Sequence, residues 1–208
     1  MAIDGGLESV LERSRSLGFL GPGSVRAQAE HAAGFAEVVG RPPVRVLDLG
    51  SGGGVPGLVL ADRWPDSDVV LLDVAERRCR FLEDAVAGLG WADRVRVVRA
   101  RAEEGGRRED LRGRFDLVVA RGFGPPPVTA ECGAPFLRVG GELVVSEPPT
   151  GGGAEQPVRW LADGVAVLGL RPAGSWQRPF HYEAFEQAEP CPDRFPRRVG
   201  IPAKRPLF

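Results

Sequence analysis

The sequence predicts an α/β domain: a mostly parallel, twisted sheet of about seven strands with helices on both faces and an N-terminal helical extension. Three observations predict it. Apolar runs of strand length alternate with stretches of helical spacing along the chain. The first such run, Val44–Leu49, enters a glycine-rich turn, and the second, Val69–Asp73, closes on an acid.

The elements follow in order. Leu7, Val10, Leu11 and Leu17 have helical spacing, as do Val25, Ala29, Ala32, Phe35, Ala36 and Val39 behind the cap residue Ser24. Gly18 to Gly23 separate these two helices, which form the extension over residues 1–40; residues 41–208 form the main domain. Val44–Leu49 and Val69–Asp73 are the first two strands, and Glu76–Leu89 is a helix with Cys79, Leu82, Ala85 and Val86 inward. Val95–Val98 and Phe115–Ala120 are strands three and four, and Glu142–Ser146 is strand five after a turn at Gly140-Gly141. Val165–Leu170 and Phe180–Phe185 complete the sheet as an antiparallel pair, and Gly151-Gly152-Gly153 reads as a connector.

Composition narrows the function. No run approaches the roughly 18 apolar residues of a membrane span, and no signal-peptide pattern opens the sequence; the three unpaired-looking cysteines make a reducing cytoplasm the expected compartment. Cys79, Cys132 and Cys191 are widely spaced and His31 and His181 isolated, which predicts neither a metal site nor a disulfide framework. The net charge of −1 argues against a strongly basic nucleic-acid module. Charge is uneven, however: the tail 192–208 carries Arg194, Arg197, Arg198, Lys204 and Arg205 against Asp193 alone. That tail is either a solvated end or an RNA contact, and Pro196, Pro202 and Pro206 lower the entropy cost of holding one path.

The turn Asp48-Leu49-Gly50-Ser51-Gly52-Gly53-Gly54 carries the chemistry. Glycines there permit positive φ and let a ligand lie against the main chain. Asp73, at the end of the next strand, is placed to accept hydrogen bonds from both ribose hydroxyls of a nucleoside. The dinucleotide fingerprint G-x-G-x-x-G fits badly, because its third glycine falls on Val55. The acid before the turn and the glycines after it instead resemble the Rossmann-like class I methyltransferases that use S-adenosyl-L-methionine (SAM). SAM carries no phosphates, so the turn has only a methionine tail and a sugar to cradle.

The resemblance sharpens along the chain. Leu47 to Gly57 with its Val55-Pro56-Gly57 ending, the Leu72-Asp73 step, Arg77 with Arg80-Phe81-Leu82, and Arg101-Ala102-Glu103-Glu104 are its first pieces. Phe115 to Arg121 and the tail Arg194 to Pro202 complete it. Together they are similar to the bacterial small-subunit (16S) rRNA guanine-N7 methyltransferases, the glucose-inhibited division protein B family. The resemblance implies SAM contacts from Gly50, Ser51, Gly52, Gly54 and Val55, a ribose side held by Asp73, Val74 and Ala75, and adenine flanked by Ala102 and Glu103. It sets Arg121 beside the cofactor, where the guanidinium could bind the SAM carboxylate or a substrate phosphate bidentately. Phe123 either stacks on an extruded base or packs in the interior. Arg121, Phe123, Arg197, Arg198, Lys204 and Arg205 are the substrate-side candidates, and no residue is assigned as catalytic. The implied partner is ribosomal RNA or the small subunit, acted on by a monomer.

Two departures stand against that pattern. The family's strand five ends in a Lys-Gly step, where this chain has Ser146-Glu147, and a carboxylate disfavours a nearby phosphate. The family's Asn-Leu-Thr and His-x-x-Asp-Ser segments are reduced to Gly18-Phe19-Leu20-Gly21 and His31-Ala32-Ala33-Gly34-Phe35, with His31 either the family histidine or a packing residue. A divergent paralogue methylating a small molecule or another RNA, and a SAM-binding protein without turnover, therefore stay open beside the rRNA enzyme.

Overall fold

The computed structural model describes residues 4–148, 158–177 and 179–208. Two N-terminal helices, α1 (Gly5–Ser16) and α2 (Val25–Val39), begin at side-chain caps: Asp4 accepts from Gly6 N at 2.8 Å and Ser24 from Ala27 N at 3.2 Å. Then come β1 (Arg45–Leu49), α3 (Gly57–Arg63), β2 (Asp68–Asp73), α4 (Glu76–Gly88), β3 (Val95–Arg99), α5 (Ala102–Gly105) and β4 (Phe115–Arg121). The chain continues through α6 (Pro126–Gly133), β5 (Leu137–Glu147), α7 (Ala162–Ala166), β6 (Leu170–Trp176), β7 (His181–Gln187) and α8 (Ile201–Lys204). The strands form one seven-stranded sheet in the order β3-β2-β1-β4-β5-β7-β6. Pairing is parallel from β3 to β5 and antiparallel at β5–β7 and β7–β6.

Each face of the sheet has its own core, and strand alternation decides which residues enter it. Val46, Leu71, Val119 and Val144 face one way, under α1 to α4. Leu47, Leu49, Val118 and Phe185 face the other, under α5, α6, α7 and the tail. Leu7, Leu11 and Phe35 are fully buried in the first core, so α1 and α2 are part of its helical layer.

Two local expectations are corrected. Gly140-Gly141 is not a turn before strand five but lies inside β5, where the register against β4 shifts between Phe115 and Leu117. A Cβ on Gly141 would stand 2.7 Å from the Phe115 carbonyl oxygen, so the glycine is there for close approach. Val165–Leu170 is not a strand: Val165 and Leu168 are buried while Val167 is exposed, the i, i+3 spacing of a helical turn. The antiparallel pair is instead β6 with β7, entered through Gly169 at φ 79°. Gly151-Gly152-Gly153 lies outside the described residues.

Candidate functional site

The carboxyl ends of β1, β2 and β4 meet where the strand order reverses, the place where doubly wound sheets hold ligands. A cavity of about 270 Å³ opens there, lined by Gly50, Asp73, Val74, Ala102, Glu103 and Phe123 among others. Gly50 turns the chain at φ 76° directly after β1, and a Cβ on it would press within 2.7 Å of the Phe123 ring. The Asp73 carboxylate ties the two halves of the wall together: Oδ2 accepts from Gly52 N and Oδ1 from Ala75 N, both at 2.8 Å. Arg78 lies 3.7 Å from Oδ2.

Behind the glycine turn sits a buried polar cluster. Asp48 Oδ2 accepts from Gly57 N at 2.9 Å, and a Cβ on Gly57 would lie 2.5 Å from that oxygen and 2.4 Å from Leu71 Cδ2. Only glycine lets α3 start this close to β1. Ser51 Oγ donates to the Asp48 carbonyl at 3.0 Å, which closes the turn. Burial is the main cause that raises the Asp48 carboxyl to about 7, against the opposing hydrogen bonds from Gly57 and Ser51. Arg121, at the end of β4, donates through Nη2 to Gln28 Oε1 of α2. Its Nη1 and Asp48 Oδ1 are buried without a hydrogen-bond partner among the described residues. His31 stands in the same cluster, lowered to about 4 by burial and by the Arg121 charge. Tyr182 donates to the His31 carbonyl, and burial pushes its hydroxyl well above the ordinary range.

Phe123 belongs to two cavities. Beyond it a second space of about 260 Å³ is lined by Gly122, Phe123, Ser146, Glu147 and Arg159. The Glu147 side chain is only 5% exposed; it pairs with Arg159 Nη1 at 2.9 Å and accepts from Trp160 Nε1 at 3.1 Å. The Ser146-Glu147 departure therefore does not leave a lone carboxylate, because a guanidinium from further along the chain returns to the end of β5.

The tail resolves into separate parts. Arg197, expected on the substrate side, is turned inward: it donates through Nε and Nη2 to Glu131, which is 0% exposed, and its backbone N–H donates to the same carboxylate at 2.8 Å. A buried carboxylate demands such a partner. Arg112 holds the Phe195 and Cys191 carbonyls, and Gly200 N donates to Glu103 Oε1 at 2.9 Å, so the tail buttresses the cavity wall at Ala102 and Glu103. Arg198, Lys204 and Arg205 are exposed.

Ser51, Gly52, Gly54, Val55 and Ala75 shape the turn and its surroundings, while Arg121 stands behind it rather than in the cavity wall. Sequence reasoning missed Gln28, Arg78 and Arg159. Gln28 had a signal, a polar side chain on the buried stripe of α2; Arg159 had none. A larger hollow of about 670 Å³ runs past Arg45, Asp68 and Val95, the amino ends of β1 to β3, and so opens away from this chemistry.

Parallel strands around a glycine turn, an acid closing β2 and a buried Asp48–Arg121 cluster define a Rossmann-like class I methyltransferase. An O-methyltransferase from Bacillus cereus solved in complex with SAH shares the fold, with a TM-score of 0.65 at 15% identity over 89% of this chain and 92% of that one. The rRNA small subunit methyltransferase G family model matches residues 31–147. The ribosomal RNA small subunit methyltransferase G of Rubrobacter xylanophilus is 39% identical over 173 residues, 78% of this chain and 65% of that protein. That of Symbiobacterium thermophilum is 37% identical over 194 residues, 88% and 78% respectively. The chain belongs to the rRNA small subunit methyltransferase G family.

Proposed function

We propose that this enzyme transfers a methyl group from SAM to guanine N7 of small-subunit ribosomal RNA, working in the cytoplasm as a single chain. The observation that supports the reading is the pair of cavities meeting at Phe123: the one along Asp73, Val74 and Ala102 suits a nucleoside, and the one along Ser146 and Glu147 leaves room for an acceptor. The residues present fit SAM. Behind the glycine turn, Asp48 Oδ1 and Arg121 Nη1 are a buried acceptor and a buried donor without partners among the described residues, which suits an amino acid's ammonium and carboxylate reaching past the turn. Asp73 retains lone pairs for ribose hydroxyls, and Val74 and Ala102 supply apolar walls for a base.

When bound, SAM supplies an electrophilic sulfonium methyl. The chain's part is to bind, orient and exclude water, since guanine N7 already carries a lone pair and no proton must leave. The environment agrees with that division of labour. His31 is lowered to about 4 and the Tyr182 hydroxyl is raised, so neither accepts a proton readily near neutral pH. Asp48 lies beneath the turn with Oδ2 on Gly57. Exposed Arg198, Lys204 and Arg205 offer phosphate contacts beside the cofactor wall.

The test is transfer of labelled methyl from SAM to unmodified small ribosomal subunits, with mapping of the modified base. Labelling of a single guanine at N7 is expected. Tight SAM binding with no RNA labelled would assign the enzyme to another acceptor.

A further inference from the structure

The acceptor cavity beyond Phe123 contains a feature that cofactor binding does not use: a salt bridge with both partners in the wall. Glu147 ends β5 with its side chain 5% exposed, and Arg159, 39% exposed, holds it at 2.9 Å. Trp160 Nε1 donates to the other carboxylate oxygen at 3.1 Å, so the carboxylate is anchored from two sides. The Trp160 ring packs on Phe185 with centroids 4.5 Å apart, which ties this anchor to the core.

Two ligand chemistries could use such a wall. A phosphate would need net positive charge, but a carboxylate 2.9 Å from the guanidinium cancels most of its attraction at longer range. What the pair does present is a fixed pattern, an acceptor next to a donor. Each carboxylate oxygen keeps a lone pair after its one bond here, and the guanidinium keeps N–H groups beyond the one on Glu147. The Watson–Crick edge of guanine is the complement: N1–H and the N2 amino group donate, and O6 beside them accepts. Adenine reverses the pattern, with an acceptor at N1 and a donor at N6. N7 lies on the other side of O6 from that edge, so a base held this way leaves N7 available.

We propose that Glu147 and Arg159 read the Watson–Crick edge of the extruded guanine, the carboxylate taking N1–H and the N2 amino group and the guanidinium taking O6. Trp160 is a positioning residue that holds the carboxylate. This rests on the guanine-N7 reading and names how the base is selected. It also accounts for Ser146-Glu147: the cation at the end of β5 is replaced by a neutral pair that discriminates between bases.

The test uses the full-length enzyme and small subunits reconstituted around rRNA carrying either guanosine or inosine at the mapped position. Inosine keeps N1–H, O6 and N7 and lacks only the N2 amino group. The wild type should methylate guanosine about tenfold or more faster in kcat/KM, the scale of one hydrogen bond to a carboxylate. Glu147→Gln sets an amide N–H against one of the base donors, so the preference should vanish or invert. Arg159→Met should slow both substrates alike, because both carry O6. SAM affinity, measured by calorimetry, should be unchanged in both variants. A wild type indifferent to the N2 amino group, or a Glu147→Gln enzyme that keeps the full preference, overturns the proposal. Either result leaves the guanine-N7 reading intact if the RNA is labelled. A loss in Glu147→Gln equal for both substrates shows a merely structural carboxylate and also overturns it.

Discussion

The backbone N–H of Gly52 donates to Asp73 Oδ2 at 2.8 Å, so the turn after β1 and the acid closing β2 are one unit rather than two walls that happen to face each other. Asp73 Oδ1 meanwhile accepts from Ala75 N, which orders the first turn toward α4. The same carboxylate thus shapes the cavity and faces it.

Asp73→Ala should therefore weaken SAM binding by about 1–3 kcal/mol, the effect of losing hydrogen bonds to a charged acceptor. It should also lower the melting temperature of the ligand-free protein, because two N–H groups lose their partner. Calorimetric titration and thermal denaturation separate the effects. Unaltered affinity would remove the ribose assignment.

Gly57→Ala tests the close approach of α3 to β1. The added methyl would sit 2.4 Å from Leu71 Cδ2 and 2.5 Å from Asp48 Oδ2, an overpacked site. A stability loss of about 1–3 kcal/mol is expected in urea denaturation. A variant as stable as the parent would show that the contact relaxes without strain.

Asp48 gives a pH dependence of definite sign. Its folded-state pKa, about 7, lies above the ordinary carboxyl range of about 4 because burial disfavours the charge. Between these values the folded protein holds a proton that the unfolded chain has released, so this group lowers stability as pH rises from about 4 to 7 and adds no further slope above. Asp48→Asn should remove that contribution. The stability of Asp48→Asn relative to the parent should rise across this window and level off, as followed by denaturation of the ligand-free proteins. A difference that is constant with pH would contradict the raised pKa.

Within the tail, Arg197 and Arg198 should behave oppositely. Arg197→Ala leaves the buried Glu131 carboxylate without its guanidinium and should destabilise the fold by about 3 kcal/mol, the low end for a broken buried pair since Arg197 is 26% exposed. Arg198→Glu, on an exposed side chain, should change stability by less than about 0.5 kcal/mol while weakening RNA association and flattening its salt dependence. Filter binding at several salt concentrations distinguishes them. Equal stability losses would mean the tail is anchored through both.

Much of this molecule was legible one segment at a time. The glycine turn, Asp73 and the alternation of strands with helices are local signals, because backbone conformation and period are set by neighbouring residues. The turn lies where expected, and positive φ at Gly50, Gly52 and Gly54 bears out the reading of its glycines. Segments whose pattern depends on distant partners were harder. Val165 and Leu168 look like strand residues until the sheet is present to define inward, and Gly140-Gly141 looks like a turn until β4 passes beside it.

Side-chain charge was the least legible property, for a physical reason. A charge's meaning depends on what lies within a few ångströms, and those neighbours come from anywhere in the chain. Composition and motif were enough to define the class of fold and the glycine turn. Only folding could turn Arg197 inward to Glu131, set Gln28 against Arg121, and bring Arg159 back to Glu147 at the end of β5.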